Sequence, residues 1–442
     1  MPASPLDSAI YGELLSDREI AALFTDSAEV RAMQIVEGTL AKVQGALGMI
    51  PKDSADAIHR ASLEVQIDPA ALATATVANA VPVPALIAAF RKEMGAPEHA
   101  QYVHWAATSQ DIMDTALALR LRQALDLIEA RLVGVLHGLG TLAQTHAELP
   151  MAARTYGQHA TVTSFGAQVA EWGRPLLGMH AGLAEVCLAC TRVSLSGAGG
   201  TSSAMGPQAA RVRTELAQAL NLGDPGASWH SARGGVAGLA AWLTGVTGVL
   251  GKMGDDLHLM AQSGIEEILV GDTGGSSTMP HKSNPVQPAV LVAIARQMVG
   301  LNTVMQGAMV HRQQRDASAW MTEWMSLPQM CVLAGRALAV ARTLAEGLAP
   351  NADRMRAQID GSDGLIFAEA ATFALAQSMP RPEAQEIVKA LSGEVRETGR
   401  SLTDLLARDH DLNWATLLTP EAQLGEAPAF ARAFAAQAAG VS

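Results

Sequence analysis

The most chemically informative stretch of the sequence is the polar run from Gly274 to Pro285. It reads Gly-Gly-Ser-Ser-Thr-Met-Pro-His-Lys-Ser-Asn-Pro, so hydroxyl groups, an ammonium group and an amide follow one another closely. Two glycines give the run a hinge, and Pro285 is favoured in the first turn of a following helix. Such a loop can close over an anionic substrate and place a serine beside Lys282. A plain flexible linker is the alternative, but linkers rarely combine these residue types.

Three further polar loops interrupt an otherwise apolar sequence. They span 104–111, 154–160 and 196–201. Loops held between rigid elements are where binding and catalytic side chains concentrate. The loop at 196–201 is as glycine-rich as a phosphate-binding loop, but it lacks the Gly-Lys-Ser/Thr ending and a preceding strand. We therefore predict a tight turn there, through which backbone approaches a substrate, and no nucleotide site.

Long helices must position these loops, because apolar residues recur at helical spacing and strand signals are nearly absent. The pattern predicts helices over 26–47, from 111 past 135, over 163–195 with a kink at Pro175, over 236–262, over 285–311, and after Trp320. A break at Pro350 is followed by Asn351 and Asp353, either of which can cap a new helix.

These breaks divide the predicted all-α chain into three domains. We predict an N-terminal helical domain over residues 1–108, a central bundle of long helices over 109–350, and a C-terminal helical domain over 351–442. The central part is the core, and the polar loops lie at the ends of its helices.

Composition excludes several classes of protein. The 442 residues are 49% hydrophobic, 17% charged and 4% aromatic, with a formal net charge of −12. The chain is too apolar for disorder and too acidic to suggest nucleic-acid binding. With few aromatics, closely packed helices are favoured over a β-sandwich.

Low charge raises the possibility of membrane insertion. Residues 69–90 and 234–251 carry no charged side chain and approach the length of about 20 residues that a membrane span needs. Their Asn, Pro and Gly content instead predicts helices buried in a bundle or an oligomer. Residues 1–12 lack a signal-peptide pattern, and three cysteines fit a reducing cytoplasm. Cys187 and Cys190 are predicted to be structural rather than metal ligands.

The run 275–285 resembles the signature loop of the fumarase/aspartase superfamily of lyases. Residues 104–111 and 154–160 resemble the first and second conserved segments of that family, and the resemblance extends over nearly the whole chain. Within the superfamily the sequence is most similar to the bacterial 3-carboxy-cis,cis-muconate cycloisomerases. The supporting features are Trp229-His230, the spacing from Arg315 to Trp320, and Glu323-Trp324.

The resemblance implies a fold, an assembly and a reaction. It implies a three-domain helical subunit whose central helices form a homotetramer around a core of about twenty helices, with active sites built from loops of three subunits. It implies no metal and no organic cofactor. The expected partner is a small anionic tricarboxylate, with no nucleic acid and no membrane, and the expected location is the cytoplasm. The expected reaction is cyclisation of 3-carboxy-cis,cis-muconate to 4-carboxymuconolactone.

The resemblance also implies roles for individual side chains. Ser276 takes the position that transfers a proton at the carbon acid, while Lys282 and Asn284 bind carboxylate oxygens and Lys282 lowers the pKa of the serine. His159 binds or orients the substrate or acts as a secondary acid or base. The further substrate-binding residues are Thr108, Ser109, Gln158, Arg154, Arg315, His104 and Arg233.

Tyr156 is the most informative departure from the superfamily pattern, because many members carry His at that place. A carboxylate with a pKa near 4 is already ionised at neutral pH, so lactone formation needs no acid or base at the attacking oxygen. Loss of the His is therefore tolerable for a cycloisomerase and costly for a fumarase or an amine lyase. Other departures are Ala106, Gly234, Arg312 and Gln313.

Two alternatives remain open at this stage. One is a superfamily lyase that eliminates an amine from a succinyl adduct and releases fumarate. The other is a structural protein on the same fold that has lost catalysis, although retention of Ser276, Lys282 and Asn284 argues against it.

Overall fold

The computed structural model describes residues 4–270, 274–275, 279 and 282–442. Helices dominate this part of the chain, and the prediction of an all-α fold is confirmed. The helices of the first half are α1 (Gly12–Leu15), α2 (Arg18–Ala22), α3 (Asp26–Ala46), α4 (Lys52–Glu64), α5 (Ala73–Asn79), α6 (Val83–Met94), α7 (Pro97–Ala100), α8 (Ser109–Thr145), α9 (Phe165–Ala181), α10 (Leu183–Cys190) and α11 (Ala209–Leu220). Those of the second half are α12 (Gly234–Met260), α13 (Val286–Gly307), α14 (Ala317–Gly347), α15 (Ala352–Asp360), α16 (Ala368–Leu375), α17 (Arg381–Thr398), α18 (Leu402–Asp409), α19 (Trp414–Leu417) and α20 (Ala427–Ala439).

Capping residues set the ends of several helices close to the predicted positions. The sequence places the start of α3 at Asp26, and the structure caps it one residue earlier, where Thr25 Oγ1 accepts a hydrogen bond from the Ala28 N–H at 3.2 Å. A hydroxyl at this place satisfies one of the free N–H groups of the first turn. Asn351 caps α15 as predicted, because its side chain accepts from the Arg354 N–H at 3.3 Å.

Short antiparallel strands are the feature that the sequence pattern does not predict. The pairs are β1 (Pro150–Thr155) with β2 (Gln158–Ser164), β3 (Ile268–Leu269) with β6 (Ala349–Pro350), and β4 (Gly274–Gly275) with β5 (Ser283–Asn284). The helix predicted over 163–195 therefore begins later, and it is divided at Gly182 into α9 and α10. Pro175 lies inside α9.

The chain forms two compact units, each with its own core. The first comprises residues 1–130, 179–248 and 294–337, and the second comprises 131–178, 249–293 and 338–442. In the first unit, apolar side chains of α3, α4, α6 and α11 pack together around the buried Met33 and Phe90. In the second, side chains of α16, α17 and α18 pack against β1 and β2. The division into domains at 108 and 350 stays a prediction.

Three helices of the described residues are long and apolar enough to cross a membrane by length and composition alone. They are α12, α13 and α14, and 56%, 33% and 67% of their most apolar windows are buried within the chain. Large apolar side chains remain uncovered on them, such as Val299 at 59% exposure and Met325 at 64%. Exposed apolar side chains on such long apolar helices suit contact with another apolar surface.

The contact between Gly173 of α9 and Phe434 of α20 gives a test of packing in the second unit. A Cβ atom at position 173 would lie 1.9 Å from the Phe434 ring, and that ring is 1% exposed, so it has little room to move. We predict that Gly173→Ala lowers the free energy of unfolding by about 2 kcal/mol, because overpacking a rigid core is destabilising. Urea denaturation at matched protein concentration measures the change.

Gly178 in the same helix is the matched control, because an added Cβ there meets nothing within 4 Å. Gly178→Ala is expected to raise stability by about 0.5–1 kcal/mol through helix propensity. Equal midpoints for the two variants would show that Phe434 does not hold its position against a methyl group.

Candidate active site

The carboxylate of Asp111, in the first turn of α8, organises the site in the first unit. It is completely buried. Its Oδ1 atom accepts from the Ser196 N–H at 2.8 Å and lies 2.8 Å from His230 Nε2. Its Oδ2 atom accepts from the Thr108 N–H at 3.0 Å and the Gly197 N–H at 2.9 Å. One side chain therefore joins the start of α8 to two loops that are distant in sequence.

The loop at 196–201 is the tight turn that the sequence predicts. Gly197 and Gly200 have φ angles of 71° and 78°, which a residue without a side chain adopts readily. The N–H groups of Ser196 and Gly197 are directed at Asp111. Because these donors are occupied, the loop presents them to a carboxylate of the protein itself rather than to a phosphate.

Arg233 lies in a buried cluster of charges. Its guanidinium donates to Asp114 at 2.7 Å and to Glu323 at 2.9 Å, and all three side chains are almost wholly buried. Burial disfavours the cation, but the two carboxylates prevail and raise the pKa of Arg233 above its ordinary value. The guanidinium also stacks on the Trp229 ring at 4.6 Å. Its charge is thus matched locally, and its predicted contact with the substrate stays a prediction.

Arg315 has a different environment, although it belongs to the same unit. Its Nε donates to Gln110 Oε1 at 2.9 Å and its Nη2 donates to Thr108 Oγ1 at 3.1 Å. Both partners are neutral, and among the described residues no carboxylate forms an ion pair with Arg315. Ser109 is the first residue of α8, where the helix dipole favours an anion. The structure therefore brings the predicted residues Thr108 and Arg315 into contact next to Ser109, and their binding of a carboxylate stays a prediction.

His104 begins the loop that ends at Asp111. Its Nδ1 atom lies 2.6 Å from Oε1 of Glu37, a side chain of α3 that is 2% exposed. Burial opposes protonation of the imidazole, but the Glu37 carboxylate prevails and raises the pKa of His104. Asp111 adds to this effect and Arg91 opposes it. His104 is therefore a more basic imidazole than usual, and it lies on the same loop as Thr108.

The segment predicted as a polar loop at 154–160 is a β-hairpin of the second unit, with Arg154 opposite His159. Arg154 donates two parallel hydrogen bonds to Glu267, at 2.8 and 2.9 Å, and Glu267 is completely buried. Gln158 and His159 are exposed. Partial burial and the nearby Arg154 cation lower the pKa of His159 below its ordinary value.

Tyr156 and Gly157 form the turn of this hairpin, with φ angles of 53° and 73°. Two positive φ angles in a two-residue connection are typical of a type I′ turn. Tyr156 is fully exposed there. The residue that replaces the usual His of the superfamily thus lies at the tip of the hairpin.

The segment that contains the predicted catalytic serine is flanked by the paired strands β4 and β5. Gly274 pairs with Asn284 and Gly275 with Ser283, so residues 276–282 connect two adjacent strands. Ser276 itself lies outside the described residues.

Lys282 and Asn284 line a cavity of about 820 Å³ in the second unit. Lys282 is exposed and Asn284 is half-buried. His258 of α12 and Gln262, just after the end of that helix, contribute to the same cavity wall. The structure thus places two of the predicted carboxylate-binding side chains on one concave surface.

Three important side chains were not singled out from the sequence as site residues, namely Asp111, Glu37 and Glu267. Glu37 had a signal, because it occupies the apolar stripe of α3 between Met33 and Leu40, and a carboxylate in such a stripe needs a partner. Glu267 had none, because its partner Arg154 is distant in sequence.

Metal ligation is not indicated in the described part of the chain, where no group of three or more His, Cys, Asp or Glu side chains could hold an ion. Burial raises the pKa of Cys187 to about 11 and that of Cys190 to about 12. Both thiols therefore stay protonated at neutral pH and are poor ligands and nucleophiles.

Comparisons with known proteins bear on the family and the fold of the chain. A family model described as Lyase matches residues 11–300, and one described as Adenylosuccinate lyase C-terminus matches residues 364–434. The 3-carboxy-cis,cis-muconate cycloisomerase of Bradyrhizobium diazoefficiens is 36% identical over 420 residues, which cover 94% of this chain and 92% of that protein. The nitrosuccinate lyase of Streptomyces davaonensis is 33% identical over 446 residues, covering 96% and 94%.

A solved structure gives the same result for the fold. The 3-carboxy-cis,cis-muconate lactonizing enzyme of Pseudomonas putida superimposes with a TM-score of 0.92 at 33% identity, covering 98% of this chain and 99% of that one. From the matched lyase model and these full-length similarities it follows that the chain belongs to the fumarase/aspartase superfamily of lyases.

Proposed function

We propose that the protein is a cofactor-independent cycloisomerase that converts 3-carboxy-cis,cis-muconate to 4-carboxymuconolactone. Its family consists of lyases that act on small carboxylate substrates. Relatives named 3-carboxy-cis,cis-muconate cycloisomerase are 34–37% identical over at least 88% of the chain. The structural observation that carries the proposal is Arg315, a cation that contacts a hydroxyl and an amide oxygen and so retains charge for an anionic substrate.

The proposed reaction forms one carbon–oxygen bond and one carbon–hydrogen bond. A substrate carboxylate attacks the double bond, and the electron pair moves to the adjacent carbon, where a neighbouring carboxylate delocalises it. Ser276 then transfers a proton to that carbon. Lys282 and Asn284 hold the carboxylate oxygens on which negative charge develops, which is where fixed donors accelerate a reaction most.

The remaining carboxylates of the substrate need their own donors. We assign these to Thr108, Ser109, Arg315 and His104 of the first unit, with Gln158 of the hairpin as a further donor. Arg154 and Arg233 are already paired with buried carboxylates, so in this proposal they hold the surrounding segments rather than the substrate.

The hairpin supports lactone formation over hydration or amine elimination. Tyr156 lies where a His would act on a leaving amine or hydroxide, and the pKa of His159 is lowered by burial and by Arg154. A carboxylate nucleophile needs no such group, because it is ionised above about pH 4.

A second candidate reaction is elimination from a substituted succinate. The relative named nitrosuccinate lyase, which is 33% identical over nearly the whole chain, favours it. The anion-binding residues would serve either reaction, so only the substrate can separate the two.

Purified protein mixed with 3-carboxy-cis,cis-muconate is expected to abolish the ultraviolet absorbance of the conjugated diene. Cyclisation removes the conjugation, and the lactone product is identified by mass spectrometry. Nitrosuccinate and succinyl-amine adducts are tested in parallel for release of fumarate. Turnover of those compounds without loss of the diene would overturn the proposed reaction.

Arg315→Gln is expected to raise the KM for the tricarboxylate about tenfold or more, because a charge-assisted pair with a carboxylate is lost. Arg211→Gln is the matched control, since Arg211 is exposed and pairs with Glu215 one turn away. Steady-state kinetics at low and high salt measure both variants. An unchanged KM for Arg315→Gln would exclude this side chain from the substrate site.

We further propose that the protein is a cytoplasmic homotetramer in which each active site is shared between subunits. The uncovered apolar side chains of α12, α13 and α14 support this proposal, because sister helices would bury them. Burial between subunits would also account for the low content of charged residues, because less of each helix would face water.

Complementation between inactive variants tests the shared sites. Ser276→Ala and Arg315→Glu are each expected to be nearly inactive alone. When the two variants are co-expressed in equal amounts, their subunits assemble at random. If different subunits supply the two residues, roughly a quarter of the sites contain neither substitution, and activity returns. A mixture of Ser276→Ala with the Ser276→Ala/Arg315→Glu double variant is the control. Failure of the first mixture to exceed this control would contradict sharing.

A further inference from the structure

Helix α3 presents two buried polar side chains to the loop that begins at His104. Glu37 contacts the His104 ring at 2.6 Å, and two turns later Gln44 Nε2 donates to the Trp105 carbonyl at 2.8 Å. The side chains of Glu37 and Gln44 are 2% and 1% exposed. Buried polar groups in an apolar helix face are costly unless they are hydrogen-bonded, so their partners in the loop stabilise both elements.

The loop needs this support because its backbone is unusual. His104 and Ala106 have φ angles of 64° and 61°, a region that residues with a Cβ rarely occupy. Such conformations persist where the surrounding structure holds them, and they cluster at functional sites. The two contacts from α3 hold the ring of His104 and the carbonyl of Trp105, the residue between the two positions with positive φ.

Three charged groups face the His104 ring from three helices. Glu37 of α3 is hydrogen-bonded to it, while Asp111 of α8 and Arg91 of α6 act at longer range with opposite signs. The second carboxylate oxygen of Glu37 has no hydrogen-bond partner among the described residues. Its charge is therefore directed mainly at His104.

The other ring nitrogen of His104 is left open. The side chain is 20% exposed, and in the described part of the chain no hydrogen bond to Nε2 is formed. His104 lies on the same loop as Thr108, whose hydroxyl accepts from Arg315.

We propose that Glu37 is a positioning residue that fixes the ring of His104 with Nδ1–H towards α3 and holds it as a cation, so that Nε2–H binds a carboxylate of the substrate. The inference rests on the proposed anionic tricarboxylate substrate and goes beyond it, because it makes binding depend on a proton. The ligand class is a carboxylate. The positive charge is on the His104 ring, and the Glu37 carboxylate stabilises the protonated form of that ring.

Binding should therefore weaken as pH rises through the pKa of His104. Glu37 keeps that pKa above its ordinary value, so affinity holds past the usual range near 6.5. Glu37→Gln keeps an oxygen that accepts from Nδ1–H but removes the charge. Burial then dominates and lowers the pKa of His104, which moves the loss of affinity to lower pH.

The experiment is calorimetric titration of the whole protein with tricarballylate, an unreactive tricarboxylate, between about pH 5.5 and 8.5. Repeating each titration in two buffers of different ionisation enthalpy counts the protons taken up. For Glu37→Gln we expect a Kd about tenfold higher at pH 7, proton uptake shifted to lower pH, and partial recovery in acid. KM should rise in parallel with little change in kcat.

Matched variants separate this role from a merely structural one. His104→Gln should flatten the pH dependence, and the Glu37→Gln/His104→Gln double variant should bind like His104→Gln alone. Glu29→Gln, on the same helix and 3.6 Å from Arg120, should leave the profile unchanged. Glu37→Asp should restore part of the affinity, and it keeps the test decisive if Glu37→Gln assembles poorly.

Two results would overturn the inference. One is an unchanged profile in Glu37→Gln, and the other is a full wild-type pH dependence in His104→Gln. Failure of the proposed function can be told apart from failure of this inference. If the protein does not turn over the muconate but binds tricarballylate with the expected pH profile, the proposed reaction is wrong and the role of Glu37 and His104 stands. If the protein turns over the muconate but its tricarballylate affinity does not depend on pH, the role of Glu37 and His104 is wrong and the proposed reaction stands.

Discussion

The Asp111 carboxylate is the interaction on which the first unit depends most. It is completely buried and accepts hydrogen bonds from backbone N–H groups of two loops, with His230 as a further partner. A buried carboxylate is costly without such donors, so the loops must close around it for the unit to be stable. The N–H groups of Ser196 and Gly197 thereby donate to a side chain of the protein itself and are not free to bind a ligand. The groups that we propose for ligand binding lie elsewhere, on the loop before α8, where the Thr108 hydroxyl contacts Arg315.

The three arginines of the predicted site differ in their partners, and the partners determine whether the charge of each arginine is already matched within the protein. Arg233 and Arg154 face buried carboxylates, which match their charge and fix their geometry. Arg315 has neutral partners in the described residues, so an incoming anion meets less competition there. The pKa of His104 is raised because the Glu37 carboxylate, hydrogen-bonded to its ring, outweighs the effect of burial with help from Asp111. Electrostatic selectivity for a multiply charged substrate then follows from where the carboxylates are placed, in a chain whose net charge is −12.

Helical periodicity, caps and composition were enough to predict the all-α fold and most long helices, since these depend on local spacing and local hydrogen bonds. The β1–β2 hairpin escaped prediction because its register is set by the two-residue turn at Tyr156 and Gly157, where both φ angles are positive. The membrane-like composition of α12, α13 and α14 could be recognised in the sequence, but composition does not say which surface covers a helix.

The sequence by itself determined the helical class, the superfamily and the tight turn at 196–201, because residue type and spacing carry that information. It also singled out Thr108, Ser109, Arg315, Lys282 and Asn284 as groups able to hold carboxylates. Only the tertiary structure decided which arginines are already paired with carboxylates, since Glu267, Glu323 and Asp114 meet Arg154 and Arg233 across large distances in sequence. The physical reason is that charge pairing and burial depend on the approach of distant segments, whereas helix periodicity depends on neighbours along the chain.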